Sequence, residues 1–466
     1  MDTITHRPGI STFFITFGDG KRSQKHIASA CGFRILTKKL IMNLICTGDW
    51  HLGNLFHGID RLEEQRHFLD WMISQIEEHC PDALLIAGDV FDSGNPSAAA
   101  QKAYYGFLAR LSALRRPVRV IITAGNHDSA QRLEAPRPLL SCLQVEIRGN
   151  VRHTRYTGPD GTTDRSIDYD DLMIPVDGVD GTKAVVLAVP YLRSDAISGE
   201  NYSEAVGNFI HGLLVRARDR YPERRTIMMA HLYATGAEIA RDDASERIVV
   251  GGAEQVTLRD LADHPDYLTC GHIHKRQPVR DTDWARYSGS VMPMSFAEKA
   301  YTHGVDLVSV TGDGLQEVRQ LRYIPRHPLA VIPEEDEPSD LTVDRLCRMI
   351  DERLPPLAGD TPDMNAVYVA LRVTHGKIGS DDITLLEERL KTRNAVLCKI
   401  QKIMPAVEME TDSGNVSLTT VDDILNLDPM TVLSKAFALR HGAPLSERQR
   451  EMLEKITVEA KTFTDR

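Results

Sequence analysis

The chain has 466 residues, 42% of them hydrophobic and 26% charged, with a formal net charge of −11. That mix belongs to a folded globular protein and excludes a largely disordered chain, a collagen-like chain and a multi-span membrane protein. The acidic balance excludes a uniformly basic DNA-coating protein, but not local contact with nucleic acid, because binding follows the distribution of charge rather than its total.

The length corresponds to about three domains at roughly 150 residues each. The seven cysteines are scattered and form no CxxC pair, which speaks against a disulfide framework or a cysteine-rich zinc site and for a reducing compartment. No apolar run approaches the roughly 18 residues of a membrane span, and the run at 13–17 is too short for a signal peptide, so cytoplasmic residence is expected. Residues 1–41 have no clear period. They read either as a leader of unknown role or as sequence upstream of a natural start at Met42.

From Met42 onward short apolar runs alternate with stretches of helical period. Strands are expected at 44–46, 83–87 and 118–124, and helices at 62–79 and 97–114, the first carrying Leu62, Leu69, Met72, Ile73 and Ile76 on one face. Such alternation implies βαβ units, with a parallel or mixed sheet covered by helices. Residues 150–182, rich in Gly, Asp and Thr, read as a surface excursion; strands resume at 184–189, 226–230 and 267–270. A linker is expected at 324–328, followed by the solvated acidic stretch 334–340. A small α+β unit then has helices at 341–354 and 382–390 and strands at 367–373 and 395–403. The last segment, 417–466, reads as helical, with a capping box at Ser446 and Gln449.

Five polar clusters each stand directly after an apolar strand: Asp49-Trp50-His51, Gly88-Asp89, Gly125-Asn126-His127-Asp128, Ala230-His231 and Gly271-His272-Ile273-His274. Ligands of open α/β sheets collect at the carboxyl ends of strands, so these clusters are expected to converge. Oxygen and nitrogen donors without thiolate suit a hard or borderline divalent ion such as manganese, with iron and zinc as alternatives. Asp49, His51, Asp89, Asn126, His231, His272 and His274 exceed the four ligands of a tetrahedral site and match two ions sharing one carboxylate. His127 is left over as a proton donor to a leaving oxygen. Taken singly, a Gly-Asp after a strand is usually a turn, and a lone His-x-His is commonly incidental. Their joint occurrence in this order is what carries the reading.

The order D-x-H, GD, GNH[D/E], H, GHxH resembles that of the calcineurin-like metallophosphoesterases. TGDWHLG (47–53), LLIAGDVFDSGNP (84–96), VIITAGNHDS (120–129), CGHIHK (270–275) and YSGSVMPMSF (287–296) look like the SbcD family, the bacterial nuclease subunits related to the Mre-type double-strand-break nucleases. The resemblance is strong over about 42–325 and weaker beyond.

It implies a four-layer α/β/β/α sandwich at 42–326, a small α+β DNA-capping domain at 327–410 and a helical tail at 411–466 that grips the coiled coil of an SbcC-type ATPase. By the match, Asp49, His51, Asp89 and His274 would hold one metal ion, and Asp89, Asn126, His231 and His272 the other, with two manganese ions per chain and His127 catalytic. Two roles stay open for Asp128: orienting His127, or shaping the turn. Archaeal relatives place a histidine where this chain has Asp92, so no proton-donor role transfers to that position. Arg132, just after GNHDS, is the phosphate-binding candidate. His57, His67, Tyr104, Tyr105 and the pairs Arg115-Arg116 and Arg224-Arg225 read as packing or solvated residues. The FGDGKR stretch (17–22) lacks the G-x-x-x-x-G-K-[ST] pattern, so ATP dependence would come from the partner.

The implied activity is 3′–5′ double-strand exonuclease and single-strand or hairpin endonuclease, in DNA repair, recombination and replication, by a homodimer within a heterotetramer. The competing readings are a metallophosphatase or nucleotide phosphodiesterase of the same fold, and a non-enzymatic scaffold, which would be expected to have lost ligands.

Overall fold

The computed structural model describes residues 41–403 apart from 158–162, 194–195, 198–200, 239–254, 259–262 and 375–377, together with 409–411 and 414–416. The helical tail and the leader expected from the sequence lie outside the described residues, save Ile41 and the short hairpin Met409–Thr411 with Gly414–Val416.

Two six-stranded sheets form the larger unit. In chain order the elements used below are β1 (Met42–Thr47), α1 (Leu62–His79), β2 (Ala83–Ala87), α2 (Ala98–Ser112), β3 (Arg119–Thr123), β4 (Val145–Arg148), β5 (Met173–Asp177), β6 (Lys183–Val189), α3 (Tyr202–Arg220), β7 (Arg225–His231), β8 (Tyr267–Gly271), β9 (Gln277–Pro278), β10 (Ala285–Tyr287), β11 (Gly304–Thr311) and β12 (Gly314–Arg322). The first sheet runs β12-β11-β1-β2-β3-β4, with β1 to β4 parallel. The second runs β9-β10-β8-β7-β6-β5, with β6, β7, β8 and β10 parallel.

The period-2 geometry of a strand explains the layering. Ile45, Leu84, Ile86, Val120 and Ile122 pack outward against α1 and α2, beside Phe68, Met72, Tyr104 and Phe107. The alternate positions Leu44, Cys46, Ala83, Leu85, Ala87 and Ile121 face the second sheet and meet Ala184, Val186, Ala188, Ile227 and Met229. Val185, Leu187, Met228 and Leu268 point the other way, against Phe209, Leu213 and Leu214 of α3. The order is therefore helix, sheet, sheet, helix, the four-layer α/β/β/α sandwich expected from the sequence. Strands buried on both faces read as unbroken apolar runs, which is why β1, β2, β6 and β7 were legible.

The helix bounds also follow local chemistry. Ser97 caps α2 by accepting from Ala100 N at 3.1 Å, so the helix begins one residue after the first position expected to be helical. One segment departs from expectation. Within the supposed surface excursion 150–182, β5 is an edge strand whose Ile174 and Val176 are core residues of the inter-sheet layer. Its five residues, MIPVD, include Pro175 and end in Asp, so the apolar pattern is too short to stand out; a proline is tolerated there because the strand is at an edge.

A second unit carries its own core. Strands β13 (Leu329–Ile332), β14 (Val367–Thr374) and β15 (Ala395–Ile403) form a parallel sheet in the order β13-β14-β15, covered by α4 (Val343–Arg353) and α5 (Ser380–Leu390). Ile332, Leu346, Met349, Ile350, Val369, Leu371 and Leu386 pack together here. Leu371→Ala is expected to destabilise this unit by about 2–5 kcal/mol, read as a separate early transition in urea unfolding.

The two units meet at Phe56, which stacks on Tyr368, and at His327, whose backbone N–H donates to Glu64 Oε1 at 3.3 Å. Glu64 is itself paired with the buried Arg61 at 2.7 Å.

Candidate metal centre

The loops that follow β1, β2, β3, β7 and β8 come together at one end of the two sheets. Backbone bonds zip the first two loops together: Asp49 N donates to Gly88 O at 3.1 Å, and Trp50 N and His51 N both donate to Asp89 O, at 2.9 and 3.0 Å. Four non-glycine residues of these loops, Asp49, His51, Asp89 and His272, have φ between 45° and 100°. Such left-handed backbone is costly for a side-chain-bearing residue and collects at functional sites.

The side chains converge. Ligand atoms of Asp49, His51 and His274 lie within 4.8 Å of one another, as do those of Asp49, Asp89 and His231, and those of His51, Asp89 and His127. Asp89 Oδ2 sits 3.7 Å from His51 Nε2 and 3.4 Å from His231 Nε2, between the two groups. Asn126 Oδ1 lies 2.8 Å from His231 Nε2 and 3.2 Å from His272 Nδ1. Those three atoms thus crowd one point.

The outer ring nitrogens have fixed partners. His231 Nδ1 faces Ala87 O at 2.9 Å, His274 Nδ1 faces Glu298 Oε1 at 2.8 Å, and His127 Nδ1 faces Asp92 O at 2.9 Å. Each partner is an acceptor, which assigns the proton to Nδ1 and leaves Nε2 facing the site. Asp92 Oδ1 also approaches His51 Nδ1 at 3.4 Å.

Whether this set fits a metal can be tested on two buried atoms. Asp49 Oδ2 and His51 Nε2 have no hydrogen-bond partner, and both residues are at most 2% exposed. A buried polar atom without a partner is costly and calls for an explanation. Here a cation is the fitting one, since the orphaned atoms belong to one cluster with His274. The electrostatics agree in sign. Burial would lower His231, yet Asp89 and Asp49 push it up to about 9. Burial pushes His272 down to about 3, with His231 adding to the effect. The carboxylates thus draw positive charge into the site.

Close approach makes two glycines necessary. Gly88 has φ +84°, and a Cβ there would lie 2.3 Å from His231 Nδ1. A Cβ on Gly125 would lie 2.1 Å from Asp89 Oδ1 and 2.3 Å from Asp89 N. Gly125→Ala is therefore expected to displace Asp89 and abolish tight manganese binding; calorimetric titration checks this.

The other candidates are placed as follows. The Asp128 carboxylate accepts from Val90 N (3.1 Å), Phe91 N (3.0 Å) and Gly125 N (2.9 Å), and so staples the Asp89 loop to the Asn126 loop. The ring of His127 is oriented by the Asp92 carbonyl. Arg132 is exposed and bonds Asn95 Oδ1 at 2.5 Å, on the rim formed by the loop after β2. Tyr104 is core, His67 bonds the Tyr323 hydroxyl at 2.9 Å, and His57 packs on Phe56 and Phe296. Arg116 pairs with Asp82 and Arg224 with Asp177.

Sequence reasoning missed two contributors. Glu298 is fully buried against His274; burial would raise its carboxyl, but His274 brings it down to about 2. It lies two residues past the last recognised motif, in a stretch that reads as a solvated turn. The Asp92 contribution to His127 comes through a backbone carbonyl, which leaves no mark on residue type.

Comparison with known proteins agrees with this geometry. The family model for calcineurin-like phosphoesterase matches residues 42–276. The chain is 35% identical over 282 residues to the D subunit of nuclease SbcCD from Rhodobacter capsulatus, covering 58% of this chain and 67% of that protein. It is 29% identical to the same subunit from Escherichia coli K12, covering 62% and 70%, and 31% identical to that from Bacillus subtilis, covering 57% and 66%. The chain belongs to the calcineurin-like phosphoesterase family, in its SbcD branch.

Proposed function

We propose that the protein is the nuclease subunit of an SbcCD-type complex, a two-metal phosphodiester hydrolase acting on DNA. The observation that carries the proposal is the place of Asp89 Oδ2 between His51 and His231, with the unpartnered Asp49 Oδ2 and His51 Nε2 beside it. Asp49, His51, Asp89 and His274 would hold one ion; Asp89, Asn126, His231 and His272 would hold the second. Two manganese ions, when bound, activate the attacking water and neutralise charge building on the phosphoryl oxygens.

The remaining work falls to the chain. His127, its Nδ1 tied to Asp92 O, presents Nε2 toward the reacting group and delivers a proton to the leaving oxygen. The Asp89 carboxylate holds the same residue from its backbone side, accepting from His127 N at 2.8 Å, so donor and bridging ligand keep a fixed spacing. Arg132 on the rim is positioned for a backbone phosphate. Asp128 supports the arrangement through the backbone.

The names of the relatives support DNA as substrate and an SbcC-type coiled-coil ATPase as partner. On this reading 42–326 is the nuclease domain, 327–410 caps DNA and 411–466 binds the coiled coil. The active form is a homodimer within a heterotetramer, with 3′–5′ exonuclease and hairpin endonuclease activity, working in repair, recombination and replication. A cytoplasmic location accords with the absence, among the described residues, of a helix long and apolar enough to cross a membrane.

The test is a manganese-dependent rate comparison on duplex DNA, a small phosphodiester and a phosphopeptide. Preference for duplex DNA is expected. Hydrolysis of the phosphopeptide with no cleavage of DNA would replace this reading with a phosphatase of the same fold.

A further inference from the structure

Glu298 stands apart from the five strand-end loops. It lies on a 3₁₀ turn, Phe296–Ala300, and is 0% exposed. A buried carboxylate is tolerated only with hydrogen-bond partners. Its Oε1 lies 2.8 Å from His274 Nδ1, and its Oε2 accepts from Met294 N at 3.1 Å and from Ser290 Oγ at 3.2 Å.

The segment that carries Glu298 holds His274 at two points. Ser290 N donates to the His274 carbonyl at 2.9 Å, while Glu298 holds the ring. The segment itself is anchored from below, where the buried Arg61 guanidinium bonds Pro293 O. The other ring partners differ in kind. His231 Nδ1 faces a neutral backbone carbonyl, and the Asp92 side chain near His51 is 35% exposed and 3.4 Å away. Among the described residues, Glu298 is the fully buried carboxylate bonded to the ring of a candidate ligand.

We propose that Glu298 is the positioning residue of His274, fixing the ring with Nε2 toward the Asp49–His51 cluster and so setting the affinity of that metal position selectively. A carboxylate on Nδ1–H holds the tautomer and the ring angle and makes Nε2 a more basic donor. The inference rests on the assignment of His274 as a ligand made above.

The experiment is a manganese titration of the full chain by calorimetry, for wild type, Glu298→Ala, Glu298→Gln and His274→Ala, each with a melting curve in chelator. His274→Ala is expected to remove one of two binding steps. Glu298→Ala should weaken that same step by about 10–100-fold and leave the other unchanged. Glu298→Gln, which keeps an acceptor oxygen but not the charge, should recover part of the loss. Should Glu298→Ala fail to fold, Glu298→Gln decides the matter by the selective weakening of that step.

Two wild-type steps in both Glu298 variants, with one step lost in His274→Ala, would overturn the role of Glu298 alone. A loss spread equally over both steps would mark a merely structural residue and overturn it as well. Two intact steps in His274→Ala would instead remove the ligand assignment on which the proposal stands.

Discussion

Asp89→Asn is expected to abolish binding of the ion pair and to lower hydrolysis by about 10³-fold or more, since the bridging charge is worth several kcal/mol and each 1.36 kcal/mol is tenfold in rate. The substitution keeps shape and volume. The amide oxygen it introduces can still accept from His127 N, and the backbone bonds from Trp50 and His51 to the carbonyl at this position do not involve the side chain. The fold should therefore survive, and the loss should be read in a calorimetric titration as well as in rate. Wild-type manganese affinity in Asp89→Asn would show that this carboxylate does not bridge.

His127→Ala has a different signature. Its ring nitrogen Nδ1 is bonded to Asp92 O and its backbone N–H to Asp89 Oδ1, and of these two bonds only the first is lost on truncation. Removing a general acid costs about 10²–10⁴-fold in rate. Metal affinity is expected to stay near wild type, because Asp89 keeps its backbone donor. Rates on a substrate with a better leaving group should recover, since such an oxygen needs no proton. Full activity of His127→Ala on DNA would remove the residue from the mechanism. Loss of metal binding together with activity would make it a ligand rather than a proton donor, a role its proximity to His51 and Asp89 makes worth testing.

Much of this site was legible because its side chains sit where strand geometry forces a decision. A strand buried on both faces is an unbroken apolar run, and the first polar residues beyond it, Asp49, Asp89, Asn126, His231 and His272, stand out by contrast. The four-layer fold was legible for the same reason. What escaped depends on tertiary contact. Glu298 looks like any acidic residue on a turn until its burial is known. Asp92 acts on His127 through a carbonyl that every residue possesses. The edge strand β5 is five residues long with a proline inside, so its core face cannot be told from a loop by period alone.

The pairing of Arg61 with Glu64 was invisible as well. Neither residue belongs to a strand-end motif, yet this buried pair meets both the backbone of His327 and the segment carrying Glu298.

The central claim is a pair of ions bridged by Asp89. Anomalous diffraction from crystals grown with manganese tests it most directly. Two peaks about 3.5–4 Å apart, flanking the Asp89 carboxylate, are predicted. A single peak, or two peaks that do not share Asp89, would contradict the account.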